Sequence, residues 1–153
     1  MAADKWIIYD TFKEFMGDGG IDLDTDTFKL QLHLSTYVPN RSTQELKADL
    51  TNEHANANGY TTGGVTLGSV TWTEVTGTIT FDSADPAFTA SGGSIVCRFA
   101  VILDDTPTTP LKPLVGYSLL DNAPADVTVT DANTLTIQIN ASGIFTLAGG
   151  ESA

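Results

Sequence analysis

The chain has 153 residues and a net charge of −12, from 19 Asp and Glu against 7 Lys and Arg. This charge argues against nucleic acid and anionic membranes as partners, because binding to either draws on clustered Lys and Arg. The single cysteine, Cys97, excludes a disulfide-stapled scaffold. No apolar run approaches the roughly 20 residues of a membrane-spanning helix. The start, "MAADKWIIYD", lacks the basic leader of a signal peptide, so we expect synthesis in a cytoplasm and one domain over residues 1–153.

The N-terminal stretch "DKWIIYDTFKEFMGDGG" predicts a short helix that ends at Gly17. Its large apolar side chains recur at near-helical spacing, at Trp6, Ile7, Tyr9, Phe12, Phe15 and Met16. The adjacent Ile7 and Ile8 leave the start of a strand as the alternative.

The next stretch, "FKLQLHLS", alternates strictly and predicts a half-buried strand. Its apolar members face the core, and the intervening Lys29, Gln31 and His33 are expected to face water. Ser42 followed by Glu45 three residues later fits a capping box, which predicts a second short helix through Leu50.

Beyond Gly64 the chain is rich in Thr, Val and Ile and predicts a succession of strands. The run Ile95–Leu103 is apolar on both faces, which is typical of a central strand. The stretch "VTVTDANTLTIQI" predicts a hairpin with its turn at Asp131–Asn133. About eight short strands predict a mainly β fold, an antiparallel β-sandwich or jelly-roll-like domain with one or two short helices near the N-terminus.

The sequence offers few groups for catalysis, so we expect no enzyme and no cofactor. The near-neutral bases are His33 and His54, and neither has the spacing of a zinc motif. Cys97 lies in the most apolar strand, where a thiol is inert. A catalytic group assembled from distant residues by folding remains the alternative.

Three carboxylates spaced two apart, Asp22, Asp24 and Asp26, resemble the start of a calcium loop. Thr27 stands where the loop needs glycine, and His33 stands where it needs a bidentate glutamate. We therefore expect a solvated turn and no metal site. A weak Ca²⁺ site remains open if the stretch is extended.

Five segments in a fixed order carry a resemblance to a known family: "FKEFMGDGGIDLDTDTFKLQL", "TNEHANANGYTTGGVTL", "CRFAVILDDT", "PLVGYSLLD" and "LTIQINASGIFTL". Together they resemble small structural proteins of tailed-bacteriophage virions, of the head decoration (capsid cement) type. The resemblance spans about Phe12 to Leu147, nearly the whole chain. Its most specific element is Asn52-Glu53 followed by Gly59-Tyr60-Thr61 and Gly63-Gly64. One departure is Cys97-Arg98-Phe99, which replaces a more usual Ala-Arg-Tyr type of sequence.

The resemblance implies a decoration protein that binds the outer surface of the phage head and stabilises adjacent capsomers. Its partner would be the major capsid protein, and a homo-oligomer, with a trimer favoured, would be expected. The segment Trp6–Met16 would form the subunit or capsid contact. The glycine-rich stretch would be architectural: Gly59, Gly63 and Gly64 permit a tight turn, and Tyr60 anchors it against the sheet. The alternative function is a carbohydrate- or receptor-binding module of a head fibre or tail.

Overall fold

A computed structural model describes residues 3–149, which form a mainly β structure with antiparallel sheets and one α-helix near the N-terminus. The helix α1 spans Asp10–Gly17, and a 3-10 turn spans Lys47–Asp49. The strands are β1 (Ile7–Ile8), β2 (Phe28–His33), β3 (Val65–Thr66), β4 (Thr71–Val75), β5 (Thr78–Asp82), β6 (Ala87–Thr89), β7 (Ile95–Cys97), β8 (Phe99–Asp104), β9 (Leu114–Leu119), β10 (Val127–Val129), β11 (Thr134–Thr136) and β12 (Phe145–Ala148). The predicted β-sandwich-like class is therefore confirmed.

The main sheet has five strands in the order β1-β9-β8-β2-β3, so β8 lies at its centre. The residues from Ala100 to Leu103 are 0% exposed, which shows that both faces of β8 are covered. The predicted central strand is thus confirmed for Phe99–Asp104. The predicted run is nevertheless divided at Arg98, whose N–H donates to His33 O (2.8 Å) and whose carbonyl accepts from Leu120 N (2.9 Å). The preceding strand, β7, pairs instead with β10 in a separate two-stranded sheet.

A second, three-stranded sheet has the order β12-β5-β4 and closes the aromatic core. Phe81 on β5 lies 5.0 Å from Phe28 of the main sheet and 5.4 Å from Phe145 of β12, measured between ring centroids. Trp72 on β4 lies 5.9 Å from Phe145 and packs at the edge of this cluster. The helix α1 adds Phe12, whose ring meets Phe145 edge to face at 5.5 Å. These contacts join both sheets and the helix through one core.

The predicted hairpin around Asp131–Asn133 is wrong in its pairing. The turn itself forms, with Ala132 at φ 64° and Asn133 N–H donating to Thr130 O at 3.1 Å. The strands that flank it separate, however: β10 pairs with β7, and β11 pairs with β6. Because strands from distant parts of the chain satisfy the backbone hydrogen bonds of β10 and β11, the local turn does not decide the pairing.

The water-facing side predicted for β2 is also wrong. Gln31 is 1% exposed and His33 is 0% exposed, because the loop that follows β2 folds back over this face. The Tyr37 ring covers His33, with 4.6 Å between ring centroids. Lys29 retains partial exposure and pairs with Asp105 at 2.9 Å.

The N-terminus follows the alternative that Ile7 and Ile8 start a strand, because β1 pairs with β9 before α1 begins. The second predicted helix is reduced to the 3-10 turn. Ser42 does not cap it, since its hydroxyl donates to Asp10 Oδ2 at 2.8 Å. Asp49 instead accepts from the N–H groups of Glu45 and Leu46, each at 2.9 Å, which closes a single turn.

Candidate functional site

The segment that follows Glu53 is organised around that residue's carboxylate. Glu53 Oε1 accepts from the Tyr60 hydroxyl at 2.7 Å and from Gly63 N–H at 2.5 Å. The Tyr60 oxygen in turn accepts from Leu32 N–H of β2 at 3.2 Å, and the Tyr60 side chain is only 2% exposed. Burial and the bond to Glu53 raise the pKa of the Tyr60 phenol. The Glu53 carboxylate and the Tyr60 hydroxyl are therefore engaged by the chain itself.

The glycines of this turn adopt backbone conformations that suit glycine alone. Their φ angles are +86° at Gly59, +101° at Gly63 and +76° at Gly64. A Cβ at Gly64 would lie 2.6 Å from the carbonyl carbon of Leu30, and one at Gly59 would lie 3.0 Å from Ser91 N. Two of the three glycines thus allow the turn to lie directly on neighbouring backbone. We name residues 52–64 the Glu53 turn.

The six aromatic and apolar residues predicted to form the contact segment are divided by the structure. Tyr9 is 0% exposed and Phe12 is 1% exposed, so both side chains belong to the core of this chain. Ile7 is 36% exposed on the edge strand β1. The remaining three are partly buried against the core: Trp6, Phe15 and Met16. A contact through this segment would therefore use Ile7 and those three residues.

Both histidines are buried within the chain. His33 Nδ1 donates to Thr51 O at 2.8 Å, and burial lowers the pKa of the imidazole. Its Nε2 is buried and has no hydrogen-bond partner among the residues described. His54 lies in a loop, as expected, but is 7% exposed and bonds Ala55 O at 2.8 Å.

Cys97 is 0% exposed at the end of β7, as its apolar sequence context predicts. Burial raises the pKa of its thiol to about 12, so the thiol stays protonated at neutral pH.

The three spaced aspartates form a local turn. Asp22 Oδ1 accepts from Asp24 N–H at 3.0 Å and from Thr25 N–H at 3.2 Å, while Asp26 Oδ2 accepts from Asp22 N–H at 2.8 Å. These bonds hold the stretch as a turn, not as the extended strand that a weak calcium site would need. Within residues 3–149, no group of three or more His, Cys, Asp or Glu side chains is arranged to hold a metal ion.

A buried carboxyl at the end of β8 was not foreseen from the sequence. Asp104 is 0% exposed, and its Oδ1 accepts from Thr106 N–H at 3.0 Å. Its Oδ2 has no hydrogen-bond partner among the residues described. Burial, reinforced by Asp26, raises the pKa of Asp104 to about 8. The one sequence signal was a charged pair closing the apolar run in "VILDD".

One concave feature is a groove of about 1080 Å³. Its walls come from the N-terminal segment 3–6, from residues 135–140 and from residues 142–146. A smaller depression of about 300 Å³ lies between Met16 and Trp72. The sequence did not indicate the groove, because its walls join residues 3–6 to residues 135–146, which are far apart in the chain.

Comparison of the chain with protein-family models, with curated proteins and with solved structures finds no significant match to any of them. In the part of the chain that the structure describes, no helix has both the length and the apolar character needed to cross a membrane.

Proposed function

We propose that the protein is a bacteriophage capsid decoration protein. It binds the outer surface of the head through the major capsid protein and stabilises adjacent capsomers, without catalysing a reaction. The observation that carries the proposal is the Glu53 turn, in which the most specific residues of the family resemblance hold one another in place.

The residues that carry the resemblance have structural roles in the Glu53 turn. Glu53 joins Tyr60 to Gly63, and Tyr60 joins the turn to β2 through Leu32. Gly59 and Gly64 permit backbone contact that a side chain would prevent. The residues that carry the family resemblance are therefore the ones that hold the backbone of the Glu53 turn in place. The proposal extends that resemblance to a shared role on the phage head.

The charge of the chain favours the outer face of the shell. Packaged DNA presents closely spaced negative charge at the inner face, and each copy of this chain adds a net charge of −12. Salt screening over a Debye length of about 8 Å weakens this repulsion but does not reverse its sign. On the outer face the same charge keeps particles mutually repulsive and soluble.

The attachment itself is proposed to use the outer part of the N-terminal segment. Ile7 is 36% exposed, and Trp6, Phe15 and Met16 are only partly buried against the core. These four side chains would gain burial in a contact with the capsid or with further copies of the chain in a trimer. An apolar contact of this kind should resist salt better than one that rests on surface ion pairs.

Impermeant maleimide labelling of intact, DNA-filled heads tests the outer position. Cys97 is 0% exposed, so the wild-type chain serves as the unlabelled control. Cysteine is introduced separately at two exposed alanines, Ala48→Cys and Ala125→Cys, to sample two surfaces. We expect at least one variant to label before the heads are opened. Labelling of both variants only after the heads are opened would place the protein inside and contradict the proposal.

A further inference from the structure

The edges of two strands and the N-terminal segment 3–6 border the groove of about 1080 Å³. We propose that this groove binds an extended segment of another protein chain, which adds to the free edges as a β-strand. The inference concerns recognition by the isolated domain, so it stands apart from the position of the protein on a virion.

The two strand edges belong to β11 and β12. Leu135 and Thr136 of β11 line the groove, as do Phe145 and Thr146 of β12. Each strand has a partner on one side, β6 for β11 and β5 for β12. Among the described residues, none from β5 or β6 lines the groove. The groove therefore runs along the sides of β11 and β12 that face away from their partners.

The third wall of the groove belongs to the N-terminal segment 3–6. Asp4 N–H donates to Leu119 O at 2.9 Å, and Ser118 Oγ donates to Asp4 O at 2.9 Å. These bonds continue the pairing of β1 with β9 toward the start of the chain. The segment therefore extends the outer edge of the five-stranded sheet, where β1 is the outer strand, toward the groove that Asp4 and Lys5 line.

Strand edges offer rows of backbone N–H and C=O groups, and an extended polypeptide is the ligand that matches their spacing. The floor of the groove is apolar, with side chains that are 5–7% exposed at Leu120, Val127, Ile137 and Ile144. An added strand would direct every second side chain toward such a floor. Backbone pairing over an apolar floor favours a polypeptide over a sugar, which would leave the N–H and C=O rows unmatched.

The charges around the groove indicate the composition of the segment. Asp4 and Asp85 line the groove with Lys5, and the whole chain carries −12. A segment with alternating apolar residues and a Lys or Arg near each end fits this arrangement. The probe we choose is the blocked peptide acetyl-Lys-Val-Thr-Val-Thr-Val-Lys-amide.

Backbone amide NMR with hydrogen exchange provides the test. We expect the peptide to slow exchange at amides in residues 134–136 or 145–148 by about tenfold when the groove is saturated. A control peptide with N-methylated valines lacks three backbone N–H donors. It should bind at least about tenfold more weakly, because each lost hydrogen bond reduces the binding free energy. Absence of shifts with the first peptide at millimolar concentration would overturn the proposal, as would equal binding of both peptides.

Matched charge variants locate the site. The double variant Asp4→Asn/Asp85→Asn should weaken binding of the lysine peptide about fivefold, from two modest surface interactions. The Asp85→Asn change keeps a side-chain oxygen that can accept from Ile139 N–H, as the Asp85 carboxylate does at 2.8 Å. The control Asp18→Asn/Asp24→Asn makes the same change in net charge at exposed positions outside the groove. Equal weakening by both double variants would show that general charge, not the groove, binds the peptide.

A neutral oligosaccharide provides a second control. Amide shifts in the groove with the oligosaccharide, and none with the peptide, would also overturn the inference.

Discussion

The Glu53 turn yields a matched pair of alanine substitutions, at Gly64 and at its neighbour Gly63. Both glycines have positive φ, at +76° and +101°, so both replacements carry the backbone strain of a side chain there. Only Gly64 is crowded: a Cβ would lie 2.6 Å from the carbonyl carbon of Leu30 and 3.0 Å from Gln31 Cα. A Cβ at Gly63 meets nothing within 4 Å. Comparison of the two variants therefore separates the cost of backbone strain from the cost of the steric contact with β2.

The expected magnitudes differ accordingly. We expect Gly63→Ala to lower the free energy of unfolding by about 1–2 kcal/mol, the cost of a left-handed conformation. Gly64→Ala must also push the turn away from β2, which disturbs the pairing of Leu30 with Val65, so we expect about 3–5 kcal/mol. Urea unfolding of both variants measures the difference. Equal losses for the two variants, or a loss below about 1 kcal/mol for Gly64→Ala, would refute the close-packing explanation.

Three further predictions concern the core and its buried polar groups. Tyr60→Phe removes the hydroxyl between Glu53 and Leu32 N–H and should cost about 1–3 kcal/mol. Ile102→Ala, at a 0% exposed position of β8, should cost about 2–5 kcal/mol. Asp104→Asn removes a carboxyl whose pKa is about 8 in the folded chain, against an ordinary 3.8. The folded state thus binds this proton more tightly than the unfolded state, so wild-type stability relative to the variant should fall as pH rises from about 4 to 8 and level off above.

Each of these predictions has a contradicting outcome in denaturant titrations. A loss below about 0.5 kcal/mol for Tyr60→Phe would show that the hydroxyl is not needed in the turn. A similarly small loss for Ile102→Ala would place β8 at the periphery. For Asp104→Asn, a wild-type-to-variant difference that is constant from about pH 4 to pH 8 would show that the carboxyl holds no proton. His33 is present in both chains, so its own titration cancels in that difference.

Sequence patterns predicted the features that depend on a residue's nearest neighbours. Alternation located β2, and the two-sided apolar run located β8 as the central strand of its sheet. The turn at Ala132 also formed where Asp131 and Asn133 indicated it.

Features that depend on distant parts of the chain were not predictable in this way. His33 alternates with core leucines, yet Tyr37 and Thr51 cover it, because a later loop folds over that face. Arg98 divides an apolar run because its backbone bonds to His33 of β2 and to Leu120 after β9, whereas the preceding strand β7 pairs with the distant β10. The groove was equally hidden, since its walls join residues near position 5 to residues near position 140.

The proposed function assigns the chain to a phage, and a cryo-EM map of intact virions of that phage tests the proposal most directly. The account predicts copies of this β domain on the outer face of the head, at contacts between capsomers, with Trp6, Ile7, Phe15 and Met16 at the capsid or subunit contact. Density for the domain on the inner face or in the tail, or virions that contain no copies of the chain, would contradict it.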